Sequence, residues 1–264
     1  MNADVPRPPG ALPAVSLSEY SGLRSLYLGT AWLQGSMRIS DPQVLVIDYV
    51  RQMMAALLWL PRETLGQGRA VQLGLGAGAL TRFTVQQLKM ATTVVEINVQ
   101  VIAVNRLMFH LPDETDIVLG DAADYLAQAD EASVRLLHVD LYDAEAAAPV
   151  LDSLDFYAAC RRLLEPGGVC AINLFGRHAR VEASLARIAA AFGRDQTWSL
   201  PPTREGNTVV IAGRGVVVPG RRSLGARAAA IEARWGRLGL HARQWLRMVR
   251  PCAPPPDAAP PALP

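Results

Sequence analysis

The chain has 264 residues, of which 50% are apolar and 19% charged, with a formal net charge of +2. That composition supplies one large core, or one core with a small appended unit, and predicts a globular fold. No block of basic residues alternates with aromatics, which argues against a nucleic-acid surface, and Cys160, Cys170 and Cys252 match neither a disulfide framework nor a zinc spacing, so a reducing cytoplasm is expected.

In chain order, residues 1–19 lack a basic start followed by an apolar stretch of signal-peptide length and read as a flexible lead-in. Residues 20–61 read as a small β-hairpin, LRSLYLGTAWLQGSM around Gly29, followed by a helix over Val44–Leu60, with Val44–Ile47 alternatively extending the hairpin sheet. The run Met53–Leu60 is far below the roughly 20 residues needed to span a bilayer and ends at Pro61, so it reads as a core helix and no membrane association is expected. Strands are predicted near 69–74, 92–97, 115–119, 134–139 and 168–174, alternating with helices near 79–90, 99–109, 122–129, 152–164 and 178–191. Two further strands near 195–200 and 207–213, joined through Pro201-Pro202 and Gly206, would finish a doubly wound, mostly parallel α/β sheet of seven strands, the class I methyltransferase-like arrangement. Residues 62–215 thus form the expected nucleoside-binding catalytic domain, 216–250 one or two packed helices, and 251–264 a proline-rich disordered tail.

Candidate site residues sit where strands end, because ligands of such sheets lie across the carboxyl ends of the strands. The stretch RAVQLGLGAGAL carries Gly74, Gly76 and Gly78 between a strand and a helix. They are expected to give a sharp strand exit, close ligand approach to the backbone, and close packing of the next helix. Glu96 stands 96 − 74 = 22 positions after Gly74, near the interval at which an acid reaches ribose hydroxyls. Asp121, followed by Ala122, is either an acceptor for an adenine amino group or the N-cap of the next helix, roles that can coexist. Asp140 and Asp143 follow the strand through Leu136, Leu137 and Val139, with Tyr142 between them as a pocket residue. A carboxylate pair there suits a cationic amine that must lose a proton before its nitrogen attacks; the alternative is loop solvation and helix capping.

Several pieces, in order, carry a resemblance: QGSM at Gln34–Met37, the Met53-Met54 helix ending in Leu60-Pro61, LGLGAG at 73–78, VVEIN at 94–98, GDA at 120–122, VDLYD at 139–143, and DFYAACRRLLEPGGV at 155–169. Over roughly residues 22–213 the chain resembles the spermidine synthase family of polyamine aminopropyltransferases. The resemblance implies a site for decarboxylated S-adenosylmethionine as co-substrate. Glu96 would hold its ribose, Asp121 and Ala122 its adenine side, and the glycine turn would back the thioether. It also implies Asp140 as the catalytic aspartate, and Asp143, Tyr142, Gln52 and Gln34 on the substrate side. No metal and a homodimer built through the leading hairpin are implied as well.

Departures concentrate on the amine side. Ala77 stands where the family carries an aspartate facing the donor's amine. Gln52-Met53 replaces a Tyr-Gln pair, Thr203 and Arg204 occupy the place of a Thr-Tyr step, and Ala144 replaces a proline. An arginine at 204 would repel a diamine if it faced the pocket. A methyltransferase using S-adenosylmethionine and a non-catalytic nucleoside-binding protein are the alternatives.

Overall fold

The computed structural model describes residues 12–141, 151–176 and 178–252. Tyr142 and Asp143 lie outside the described residues, as does the stretch beyond Cys252. Two sheets organise the chain. The first is antiparallel, with strands β1 (Val15–Tyr20), β2 (Leu23–Leu28) and β3 (Leu33–Arg38) in sequential order. The expected hairpin is therefore β2–β3 with an added strand. β1 falls within the stretch read as a flexible lead-in, because its side chains are nearly all exposed and its order comes from backbone pairing with β2.

The second sheet contains all seven predicted strands: β4 (Arg69–Leu73), β5 (Ala91–Glu96), β6 (Asp116–Leu119), β7 (Val134–Val139), β8 (Leu164–Phe175), β9 (Thr197–Ser199) and β10 (Asn207–Gly213). An eighth, β11 (Arg250–Pro251), pairs with β9 across the boundary between the expected helical segment and the expected disordered tail. The order is β11-β9-β10-β8-β7-β4-β5-β6. The strands β8-β7-β4-β5-β6 run parallel, while β10 lies antiparallel to β8 and to β9.

Both faces of this sheet are covered, so its strands are apolar on both sides. In β10, Val209 and Ile211 enter one core and Val210 and Ala212 the other, the alternation that a two-residue period requires. The first face packs on α1 (Asp48–Met53), a 3₁₀ turn (Met54–Leu58) and the later helices α7 (Arg221–Trp235) and α8 (Ala242–Met248). The second packs on α4 (Ala122–Gln128), α5 (Leu154–Leu163) and α6 (His178–Phe192). Fully buried side chains such as Met53, Leu58 and Leu137 each contribute about 1.5–3 kcal/mol.

Two predicted helices are altered by tertiary contacts. The helix expected over Val44–Leu60 begins only at Asp48. Upstream, the Leu45 N–H donates to the Leu238 carbonyl at 2.9 Å, and Arg51 donates to the carbonyls of Leu45 and Val46. The helix expected over 79–90 is a short α turn, α2 (Ala79–Arg82), continued by a π turn (Phe83–Gln87), and stops where Lys89 takes φ 61.

The small sheet is seated on the glycine turn. Leu26 and Met37 share a core with Ala77 and with Phe109 at the end of α3 (Val99–Met108). A Cβ on Gly35 would lie 2.5 Å from the Ala77 Cβ, so only glycine lets β3 approach so closely. Arg82, fully buried, ties these parts together. Its guanidinium donates to the carbonyls of Ala77 and Phe109, both at 2.7 Å, and to that of Pro42 at 3.1 Å. Burial without a carboxylate partner pushes its pKa down to about 10.

Candidate active site

A cavity of about 530 Å³ opens across the carboxyl ends of β6, β5, β4, β7, β8 and the start of β10, roofed by the small sheet. Of the residues singled out in the sequence, Gly74, Gly76, Glu96, Asp121, Ala122, Asp140 and Gln34 line it. Gly78 does not; it lies under α3, where an added Cβ would sit 2.6 Å from Asn105 Oδ1, so its place is in helix packing. Gln52 is buried in α1 with Oε1 unpartnered, and it is absent from the cavity wall.

Asp140 stands at the middle of the cavity. β7 delivers it, and its N–H donates to the Leu73 carbonyl at 3.0 Å. Gly74, at φ 87, is required beside it, since a Cβ there would fall 2.2 Å from the Asp140 carbonyl oxygen. The two carboxylate oxygens have separate donors: Asn173 Nδ2 to Oδ1 at 2.9 Å, and the Tyr49 hydroxyl to Oδ2 at 3.2 Å. Asn173 is itself oriented by Asn207, whose Nδ2 donates to Asn173 Oδ1 at 3.1 Å. Burial raises the Asp140 pKa, and the bonds from Asn173 and Tyr49 oppose that rise. Tyr49 is held well above the ordinary phenol value by burial first, then by the Asp140 charge, so it remains a donor.

Tyr49, Asn173 and Asn207 are functional candidates that sequence reasoning missed. For Asn173 and Asn207 a signal existed. Each is a buried amide in an otherwise apolar strand, on the face that Asp140 shares. His138, two residues before Asp140 on that face, is different: burial pushes its pKa down to about 3, and neither ring nitrogen has a partner.

At the other end of the cavity, Glu96 accepts the N–H of Leu75 on Oε2 at 2.9 Å and that of Asn98 on Oε1 at 2.8 Å. Burial raises its pKa and these backbone bonds oppose the rise. An ionised carboxylate has about four acceptor positions, so these bonds do not use up its capacity to accept from hydroxyls. Asp121 is the N-cap of α4: Oδ1 accepts from Ala123 at 2.7 Å and Asp124 at 3.3 Å, and the same residue lines the cavity.

On the amine side, Arg204 does not meet the condition under which it would repel a diamine. Thr203–Gly206 is a tight turn closed by the Gly206 N–H on the Thr203 carbonyl at 3.0 Å, and its two central residues diverge. Arg204 is exposed and away from the cavity, whereas Glu205 lines it. Ala77 also faces away, buried under Gly35. No group of three His, Cys, Asp or Glu among the described residues is placed to hold a metal ion, and no helix among them is long and apolar enough to cross a membrane.

No protein-family model matches the chain. A polyamine aminopropyltransferase of Chromobacterium violaceum is 37% identical over 233 residues, covering 86% of each chain. Among solved structures, a probable spermidine synthase from Corynebacterium glutamicum has a TM-score of 0.70 at 19% identity, covering 86% of this chain and 88% of that one. Human methyltransferase-like protein 13, solved in complex with SAH, has a TM-score of 0.61 at 20% identity, covering 81% of this chain and 97% of that one. These two share the α/β architecture; the sequence relationship is the stronger finding, and by it the chain belongs to the polyamine aminopropyltransferase family.

Proposed function

We propose that the chain transfers the aminopropyl group of decarboxylated S-adenosylmethionine to an amine acceptor, with putrescine the first candidate, and releases methylthioadenosine. The observation that carries this reading is Asp140, a carboxylate of raised pKa held by Tyr49 and Asn173 midway between a donor wall and an open acceptor wall. Glu96 would bind the ribose hydroxyls, Asp121 and Ala122 the adenine edge, and Gly74, Gly76 and Gln34 the sulfonium side. Asp140 would take the proton of the acceptor's ammonium and free the nitrogen's lone pair. That nitrogen then forms a C–N bond at the carbon next to sulfur as the C–S bond breaks and its electron pair returns to sulfur. Positioning of the two reactants supplies much of the rate, since the sulfonium is already a good leaving group. Asp143 and Tyr142, outside the described residues, would complete the acceptor side.

We further propose a cytoplasmic homodimer that binds neither nucleic acid nor membrane. The small sheet supports the dimer by exposing Leu17, Tyr20 and Leu33, and the buried thiols Cys160 and Cys170 support a reducing compartment. The deciding experiment is calorimetric titration with decarboxylated S-adenosylmethionine, S-adenosylmethionine and methylthioadenosine, followed by mass spectrometry of products from a panel of amines. Preference for the decarboxylated donor with an aminopropylated product is expected. A methylated product, or nucleoside binding with no product from any amine, overturns the reading.

A further inference from the structure

Across the sheet, Asp121, Glu96 and Asp140 follow β6, β5 and β7, and the next carboxylate in the cavity wall is Glu205, in the turn that leads into β10. Two strand spacings separate β7 from β10, about 10 Å. Unlike Asp140, Glu205 has no hydrogen bond or ion pair among the described residues. Its turn is fixed on both sides: the Thr203 N–H donates to the Asn207 carbonyl at 2.8 Å, and Gly206 packs on the Phe175 ring, where a Cβ would lie 3.4 Å from Cε2. Phe175 in turn meets Trp32 edge-on at 6.0 Å, and both rings line the cavity. An open carboxylate in a cavity that two aromatic rings also line is a cation-binding arrangement, with the rings supplying quadrupole attraction and apolar contact for a methylene chain.

We propose that Glu205, in the cavity wall that Trp32 and Phe175 share, sets acceptor specificity by holding the ammonium of a linear diamine at the end remote from the nitrogen that reacts beside Asp140. The inference rests on the aminopropyl-transfer reading and extends it to the acceptor's second charge. It also accounts for the Thr203-Arg204 departure, because the turn that turns its arginine to solvent turns its acid to the cavity.

The test compares parent protein, Glu205→Gln and Glu205→Lys, each saturated with methylthioadenosine, by calorimetric titration with putrescine and with n-butylamine, which lacks the second ammonium. KM and kcat are measured in parallel with decarboxylated S-adenosylmethionine. Glu205→Gln is expected to weaken putrescine binding and raise its KM about tenfold, as loss of one charge contact worth about 1.4 kcal/mol implies, with Glu205→Lys weaker still. Butylamine affinity, kcat and methylthioadenosine affinity should stay within about twofold, a change well below the tenfold step. Equal putrescine binding by all three proteins overturns the role of Glu205 and leaves the transfer reading standing. A parent protein that binds and aminopropylates no diamine overturns both.

Discussion

The Asn173 side chain is the most direct handle on Asp140, since it donates to one of the carboxylate oxygens. Its Nδ2 donates to Oδ1 at 2.9 Å, a bond that favours the ionised carboxylate and partly offsets the effect of burial. A hydrogen bond to a charged group contributes about 1.5–3 kcal/mol. At about 1.36 kcal/mol per pH unit, Asn173→Ala should therefore move the acid limb of kcat/KM upward by about one to two pH units. The assay is methylthioadenosine release against pH, with methylthioadenosine affinity measured alongside. Tyr49→Phe removes the donor to the other oxygen, at 3.2 Å, and should shift the limb in the same direction by less. Because the two donors use different oxygens, the double variant should approach the sum, and any shortfall measures their coupling through the shared carboxylate. An acid limb that stays in place in both variants, even with reduced kcat, refutes Asp140 as the group that must be ionised.

Asp140→Asn should abolish turnover while leaving methylthioadenosine affinity within about twofold, well inside one tenfold step. Its stability effect has a definite sign. Burial lifts the folded pKa of Asp140 above its unfolded value, so the group favours folding below the unfolded value and that contribution is lost as pH rises through the folded one. The asparagine variant should lose less stability than the parent over that window and melt higher at neutral pH in calorimetric scans; a lower melting temperature there would contradict the sign. Glu96→Ala should weaken methylthioadenosine binding by about 1.5–3 kcal/mol in titration. It should also lower the melting temperature, since the N–H groups of Leu75 and Asn98 lose their acceptor; unchanged affinity would place the ribose elsewhere. Gly35→Ala forces a Cβ to within 2.5 Å of Ala77, and the overpacking should cost about 1–3 kcal/mol in denaturant unfolding. An unchanged midpoint would mean that β3 is not seated on the glycine turn.

The parallel sheet was legible because its strands are short apolar runs bounded by glycine and polar turns, and because strands buried on both faces carry that pattern in any context. β1 was not, since SLSEY presents exposed polar side chains and is ordered by pairing rather than burial. β11 was hidden for a related reason: its two residues are a strand only because β9 offers an open edge. In the site, the acids that end strands were readable one strand at a time. The partners of Asp140 were not, because Tyr49 is 91 positions away and Asn173 is 33 away, and no local pattern encodes a contact made across the sheet. The direction of Arg204 was left open for the opposite reason. Position in the chain identified the turn, but which of its two central residues faces the cavity is decided by the turn's geometry and by Gly206 resting on Phe175.

The strand order separates the Thr203-Arg204 departure from the strand ends that carry Glu96 and Asp121, whereas the departures at Ala77 and Gln52-Met53 are buried. From Asp121 to Glu205 the cavity crosses β6, β5, β4, β7, β8 and β10, so the proposed donor contacts belong to one half of the sheet and the proposed acceptor contacts to the other, with Asp140 at the boundary. The donor half is built of parallel strands whose backbone atoms are already committed: Glu96 holds two backbone N–H groups, and Gly74 is pressed against Asp140. A change there costs binding and folding together. The acceptor half ends in an antiparallel turn whose Arg204 and Glu205 are exposed, and in the β2–β3 connection that carries Trp32, 53% exposed. Substitutions at those positions disturb no core packing and break no backbone ladder. Acceptor preference can therefore drift at little cost in stability, while the donor site and Asp140 are held by the same contacts that hold the sheet.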